Sequence, residues 1–350
     1  MFRESPSLRG RPSLPQSTLL PLLAIFALAI VFDYINGFHD TANAIATSVA
    51  TRALKPEHAI LLSATANFVG AIIFGTAVAG TIGSGIVQDN LILANGSTVL
   101  FAALLGAIAW NLITWRLSIP SSSSHALIGG LIGAAWASAG SGAVQWGNFA
   151  GKILVPLFSS PLLGIVIGFT FMVVILNVFV RANPRRMNDR FRKMQIVSAT
   201  YMALAHGSND AQKTMGIMTL ALFTAKAIPD HHVPIWVILI AASAMSAGTA
   251  AGGWRIMKTM GQRVVKLDPV HGFAAETTAA SIIMVASHFG MPVSTTHVIS
   301  TAIMGVGTSD RIKAVRWGIA RSIVTAWVLT IPASAIVAAA AYLVLHLVGV

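Results

Sequence analysis

Long apolar runs, each near the ~20 residues that cross a bilayer as helix, recur along this chain and constrain its fold more than any other feature. They fall at 18–36, 38–53, 58–82, 98–117, 122–139 and 152–180, and again at 195–206, 208–225, 233–254, 272–290, 294–308 and 317–348. In hydrocarbon every backbone polar group needs an internal partner, so runs of this composition fold as helices. Only 10% of the residues are charged, against roughly 25% in a soluble domain. The expectation is an all-α polytopic membrane protein. The first run continues into polar residues with no cleavage-type site, so it reads as a membrane helix and not as a signal peptide.

Charge sets the orientation. The 23 Lys and Arg outnumber the 11 Asp and Glu, for a formal charge of +12. In a soluble chain that excess would point to nucleic acid. Here it is concentrated in short loops, as the positive-inside rule requires, and no nucleic-acid partner is expected. The segment 181–194, with Arg181, Arg185, Arg186, Arg190, Arg192 and Lys193, reads as a basic cytoplasmic loop. Arg52 and Lys55 then lie inside, as do Arg255, Lys258, Arg263 and Lys266, and Arg311, Lys313 and Arg316. Both termini fall outside. Arg3, Arg9 and Arg11 in the Pro-rich arm 1–17, read as disordered, oppose this assignment, and the denser central segment outweighs them. With no cysteine, disulfide and thiol chemistry are excluded.

The chain also repeats itself. GFHDTANAIA (37–46) matches GSNDAQKTMG (207–216), and IPSSSSHALIGGLIG (119–133) matches MPVSTTHVISTAIMG (291–305). Asp40 and Pro120 are 80 positions apart, Asp210 and Pro292 are 82 apart. Residues 18–180 and 195–350 are therefore read as two transmembrane repeats. The first starts outside and the second inside, which makes them inverted. That arrangement, with interrupted helices, belongs to secondary transporters, whose site lies at the repeat interface near mid-membrane.

A carboxylate at membrane depth costs ~2.5–3.5 kcal/mol on insertion scales and is kept for a function. Asp40 and Asp210 qualify twice over, by symmetry. Gly37 and Gly207, three residues earlier, are expected to break their helices there. Pro120 and Pro292 are each followed by hydroxyl residues, Ser121–Ser124 and Ser294–Thr296. Such sequences open helices, and a helix N-terminus offers unpaired N–H groups and partial positive charge to an oxyanion. Simple N-capping explains one such turn. Two at symmetric places beside two Asp motifs point to an anion site.

Residues 98–139 and 272–308 fit either two full spans or a re-entrant hairpin each. Hairpins dipping from opposite faces bring both Pro-Ser tips together, so we expect hairpins. Lys213 stands three residues after Asp210, able to contact an anion, to pair with Asp210 or to titrate. Glu276 reads as a coupling-ion or proton site, or else as a helix-entry residue. His125 and His297 are expected to orient their serine turns. No metal ligand set is read from the sequence.

These motifs resemble the inorganic phosphate transporter (PiT) family, over essentially all of 18–348. The resemblance rests on Gly37–Asp40, Gly207–Asp210, Pro120–His125 and Pro292–His297. It implies a symporter for inorganic phosphate, built as an inverted repeat, working as a homodimer in the bacterial cytoplasmic membrane, without covalent cofactor and not an enzyme. Carried over by position, it implies phosphate ligation by Asp40, Asn43, Ser122, Ser123, Ser124, Asn209, Asp210, Ser294, Thr295 and Thr296. Glu276 matches an acidic position that the family uses in transport, Asp40 and Asp210 are read as holding the coupling cation or proton, and Lys213, also assigned to coupling, departs from the many members that have Asn there. HGSNDAQK resembles the bacterial branch that uses protons and carries metal–phosphate complexes, so the expected coupling ion is H+, with Na+ as the alternative, and a divalent metal can travel with the anion. A relative that carries sulfate shares the framework, leaving sulfate as an alternative substrate. An intramembrane hydrolase needs one Ser–His–Asp set in mutual reach, whereas this chain has two near-equal sets. A passive channel does not need the intramembrane acids.

Overall fold

A computed structural model describes residues 16–252 and 264–349. Most of the arm 1–17, and Arg255, Lys258 and Arg263 of the expected inner loop, lie outside the described residues. The described residues are helical almost throughout: α1 (Gln16–Ala50), α2 (Pro56–Ile73), α3 (Ala77–Ser84), α4 (Asp89–Arg116), α5 (Ser123–Ala139) and α6 (Trp146–Val178), then α7 (Pro184–Thr224), α8 (Ile235–Ala251), α9 (Pro269–His288), α10 (Thr295–Asp310) and α11 (Trp317–Val348). Five helices, α1, α2, α4, α6 and α11, are long and apolar enough to cross a membrane. Large apolar residues cover their outer faces, such as Leu162 and Val166 on α6 and Val328 and Ile336 on α11, as suits contact with lipid. The chain is a multi-pass membrane protein.

Proline opens α2, α7 and α9, at the one turn where its missing N–H costs nothing. Much of the basic segment 181–194 is itself helical, because α7 begins at Pro184. The Asn183 side chain caps it, accepting from Arg185 N at 3.0 Å.

The expected breaks at Gly37 and Gly207 are not there. α1 and α7 run unbroken through both glycines, for 35 and 41 residues. The glycines serve contact instead. A Cβ on Gly37 would lie 2.2 Å from the Met245 carbonyl oxygen of α8, and one on Gly207 the same 2.2 Å from that of Asn67 on α2. Each motif helix packs its glycine face on a helix of the opposite repeat. The same exchange recurs at Gly133, whose Cβ would meet the Ala335 carbonyl of α11 at 2.1 Å, and at Gly305, which would meet that of Ile165 in α6 at 2.3 Å. The two repeats thus interlock through matching small-residue contacts, the way membrane helices approach closely. This is the expected inverted-repeat, all-α architecture.

The hairpin turns also match. Two residues beyond α4 stands Ser118 at φ 58°, and two beyond α9 stands Gly290 at φ 66°. Each left-handed residue turns the chain two positions before Pro120 or Pro292, and α5 and α10 start just beyond. The turns converge. The His125 and His297 rings stand 4.8 Å apart, and the Thr296 hydroxyl donates to the Ser121 carbonyl at 3.0 Å. Both tips therefore end inside the protein against α1 and α7, where Asn43 and Lys213 bond to them.

Candidate functional site

Helical spacing puts Asp40 and Asn43 on the face of α1 that meets the tips, and Asp210 and Lys213 on the same face of α7. All four residues are buried, none more than 2% exposed. A residue of this polarity is tolerable there only with partners. His39 Nδ1 donates to Asp40 at 2.7 Å, and its Nε2 lies 3.2 Å from the Thr114 hydroxyl. Asn43 donates to Thr296 at 2.9 Å. Lys213 donates to the Asp210 carboxylate and to the Ser124 hydroxyl, and lies 3.4 Å from the Val293 carbonyl. Thr295 donates to Asp210 at 3.3 Å, and His206 Nε2 approaches the same carboxylate at 3.3 Å.

The serine turns behave as caps. Ser122 accepts from His125 N and Ser294 from His297 N, each at 3.2 Å. Ser124 donates to the Val293 carbonyl at 3.4 Å, and the Ser123 hydroxyl has no hydrogen-bond partner. The N-termini of α5 and α10 thus face each other with hydroxyls between them and Asp40 and Asp210 alongside. His297 further stacks on Trp327, whose indole donates to the Pro120 carbonyl at 3.2 Å. The two histidines buttress the tips through their backbone and rings.

Not every candidate joins this cluster. Asn209 turns toward α9, donating to Ser287 at 2.8 Å. Glu276 is fully buried well inside α9, which excludes a helix-entry role. It accepts from Thr47 at 2.5 Å, from Gln195 at 3.1 Å and from Ser198. Thr47 lies seven residues beyond Asp40, about 10 Å further along α1, so Glu276 forms a separate polar centre.

The sequence reading passed over two residues. His206 lies one helical turn before Asp210, a spacing that could have flagged it. Asp40, His206 and Asp210 each present a ligand atom within 4.8 Å of the others. Two carboxylates and an imidazole suit a divalent transition metal or zinc, which no spacing in the sequence suggested. The other is Asp33, seven residues before Asp40 on α1 and fully buried; a carboxylate inside the apolar run 18–36 was its signal.

The model of a family described as "Phosphate transporter family" matches residues 36–187 and 180–338. The chain belongs to that family. A Bacillus subtilis (strain 168) protein named "Probable low-affinity inorganic phosphate transporter" is 50% identical over 94% of this chain and 98% of its own length. A Rhizobium meliloti (strain 1021) protein of the same name is 45% identical over 94% and 97%. A solved structure described as "The sodium-dependent phosphate transporter" superposes with TM-score 0.84 at 24% identity, covering 94% of this chain and 99% of that one, which supports the fold. These relatives are transporters and not enzymes.

Proposed function

We propose that this family member imports inorganic phosphate as a secondary-active symporter. The observation that carries the reading is the meeting of two hydroxyl-capped helix N-termini, α5 and α10, beside Asp40 and Asp210. Free N–H groups and hydroxyls there bind phosphate oxygens. The names of the relatives agree with phosphate. Ser122, Ser123, Ser124, Ser294, Thr295, Thr296 and Asn43 form the anion cradle. Asn209, turned to Ser287, acts from behind it.

Two carboxylates would repel a phosphate dianion. A cation bound with the anion removes that conflict and couples the two. Protons are the first candidate for the driving ion, since Lys213 already places a positive charge on Asp210 and so opposes a second cation there. Sodium is the second reading, favoured by the description of the similar solved structure. A divalent metal carried with phosphate as cargo fits Asp40, His206 and Asp210. Glu276 serves as a second coupling site. We place the chain in the cytoplasmic membrane as a homodimer, with the basic segment around Arg185 inside and both termini outside.

Purified protein in liposomes decides the matter. Labelled phosphate should accumulate under an imposed inward gradient of H+ or Na+ and stop when an ionophore collapses it, with sulfate and arsenate added as competitors. Equilibration without accumulation would make the protein a channel; preferential uptake of sulfate would reassign the anion.

A further inference from the structure

The first turns of α7 carry a dense run of cations that the site described above does not use. Arg181, Arg185, Arg186, Arg190, Arg192 and Lys193 are all exposed, and one acid, Asp189, stands among them. Arg192 lies 3.9 Å from that acid. Among the described residues the other five cations pair with no acid.

The opposite face of the helix fixes where these cations point. Phe191, Gln195 and Ser198 are spaced four and three apart and are buried. Phe191 packs edge-on against Phe179, just beyond α6, and Phe273 of α9, with ring centres 5.6 and 5.3 Å away. Gln195 and Ser198 donate to Glu276. With its inner face held in this way, α7 cannot roll. Arg186, Arg190, Lys193 and Val197 follow one another at intervals of four, three and four residues, which keeps them on one outward stripe. The character of that stripe changes once. After the three cations comes Val197, 70% exposed, with Met194 and Ile196 exposed beside it. Before Arg181 the order is reversed, with Leu176, Val178 and Val180 exposed. A surface that runs apolar, cationic and apolar again leaves the hydrocarbon and re-enters it, so its cations stand at the level of the lipid headgroups.

We infer that Arg186, Arg190 and Lys193 form a docking stripe for the phosphate groups of anionic phospholipids in the surrounding bilayer. The charges are complementary, and basic clusters beside membrane helices attract anionic lipid. Guanidinium forks bind phosphate oxygens through paired hydrogen bonds, and long stems carry the charged heads to the headgroup layer. Orientation during insertion requires a basic segment; it does not require unpaired cations aligned on one face of a fixed helix, next to apolar side chains that face lipid. Inorganic phosphate offers the same chemistry. This stripe, however, is an exposed helix surface with no buried polar group to enclose a small ion, whereas headgroups are held against it by the membrane. The docking does not depend on what the protein transports.

The chain has no cysteine, so Ala182→Cys gives one attachment point for a fluorophore beside the stripe. The labelled full-length protein is placed in phosphatidylcholine liposomes, and quenching by spin-labelled phosphatidylglycerol is compared with quenching by spin-labelled phosphatidylcholine. The anionic lipid should be preferred about tenfold or more, and high salt should remove most of that preference. Arg186→Gln, Arg190→Gln and Lys193→Gln together should abolish it, while Arg186→Lys with Arg190→Lys keeps most of it. Should the triple variant fail to fold, the salt series and the lysine variant decide. Arg311→Gln with Lys313→Gln, on the exposed turn before α11, is the control for bulk attraction and should leave the preference intact. Equal quenching by the two lipids overturns the proposal, as does a preference that survives high salt. An equal loss in the Arg311 and Lys313 control also overturns it. Displacement of the lipid by inorganic phosphate, at ionic strength matched with chloride, would make the stripe a small-anion site and overturn it as well.

Discussion

Lys213 donates to the hydroxyl of Ser124 at the place where, in the other repeat, Asn43 donates to Thr296. The pairing is symmetric down to its continuation, since Ser124 donates to the Val293 carbonyl and Thr296 to that of Ser121. One half of the site is therefore bridged by a neutral amide and the other by an ammonium. The tip contacts are matched, so the lysine makes the two bridges electrically unequal, while the histidines differ too, His39 on Asp40 and His206 on Asp210.

Replacing that lysine isolates its role. Lys213→Asn restores the neutral pattern and leaves Asp210 with His206 and Thr295 alone. Removing one partner of a buried ion pair costs ~3–5 kcal/mol unless another cation arrives. The expected outcome is uptake that varies less with pH and becomes stimulated by Na+, with phosphate affinity reduced less than the pH dependence. Initial uptake rates over a pH series, with Na+ or choline, check this. An unchanged pH profile refutes it.

The two carboxylates test the site as a whole. Asp40→Asn and Asp210→Asn keep the shape and remove the charge. Losing a hydrogen bond to a charged group costs ~1.5–3 kcal/mol, so gradient-driven accumulation should drop at least about tenfold in each. Detergent-solubilised variants should still elute as folded protein. Wild-type accumulation in either would remove that residue from the mechanism.

The glycine contacts make a stability prediction. Gly37→Ala and Gly207→Ala each push a Cβ to 2.2 Å from a backbone carbonyl oxygen that belongs to another helix. Backbone cannot rotate away as a side chain can, so each should cost ~1–3 kcal/mol or more. Gly80→Ala, where a Cβ meets nothing within 4 Å, should be neutral by comparison. Thermal melts in detergent report the difference. A helix-break role would instead make Ala stabilising at Gly37 and Gly207.

A pH-dependent contact lies at the open end of the second hairpin. His271, in the first turn of α9, sits 2.7 Å from Asp268 and 3.0 Å from Asp310 at the end of α10. Burial pushes the imidazole pKa down, but the hydrogen bond and charge of Asp268, joined by Asp310, raise it overall. Burial likewise pushes Asp268 up, and its bonds to His271 hold it below the usual carboxylate value. The histidine's contribution is fully present below its ordinary pKa of about 6.5 and fades as pH rises through the raised value. Asp268 contributes above its ordinary pKa and fades as pH falls through the depressed one. His271→Gln should therefore lower stability near about pH 6 by up to about 1 kcal/mol, since both carboxylates are half-exposed, and change little in alkali. A loss equal at both pH values would show packing and not charge.

Membrane embedding, the two repeats and the chemistry of the central residues were determined by the sequence itself. Apolar runs admit no other solvent, and a motif repeated in order at 80 and 82 residues carries its symmetry in plain view. Asp40, Asp210 and the serine turns announced themselves because polar groups are costly at that depth. Tertiary structure alone decided how they connect. A glycine in an apolar helix reads equally as a break or as a contact, and only the carbonyls of Met245 and Asn67 lying against Gly37 and Gly207 show that it is a contact. Lys213 was open to contacting an anion, pairing with Asp210 or titrating; its bonds to Asp210 and to Ser124 of a different repeat settled its partners. Asn209 and Glu276 looked like neighbours of the site by motif and by charge, yet one faces Ser287 and the other Thr47 and Ser198. Helical periodicity tells which residues share a face. Which face meets which neighbour depends on packing among helices far apart in the chain, and that information exists only once they have come together.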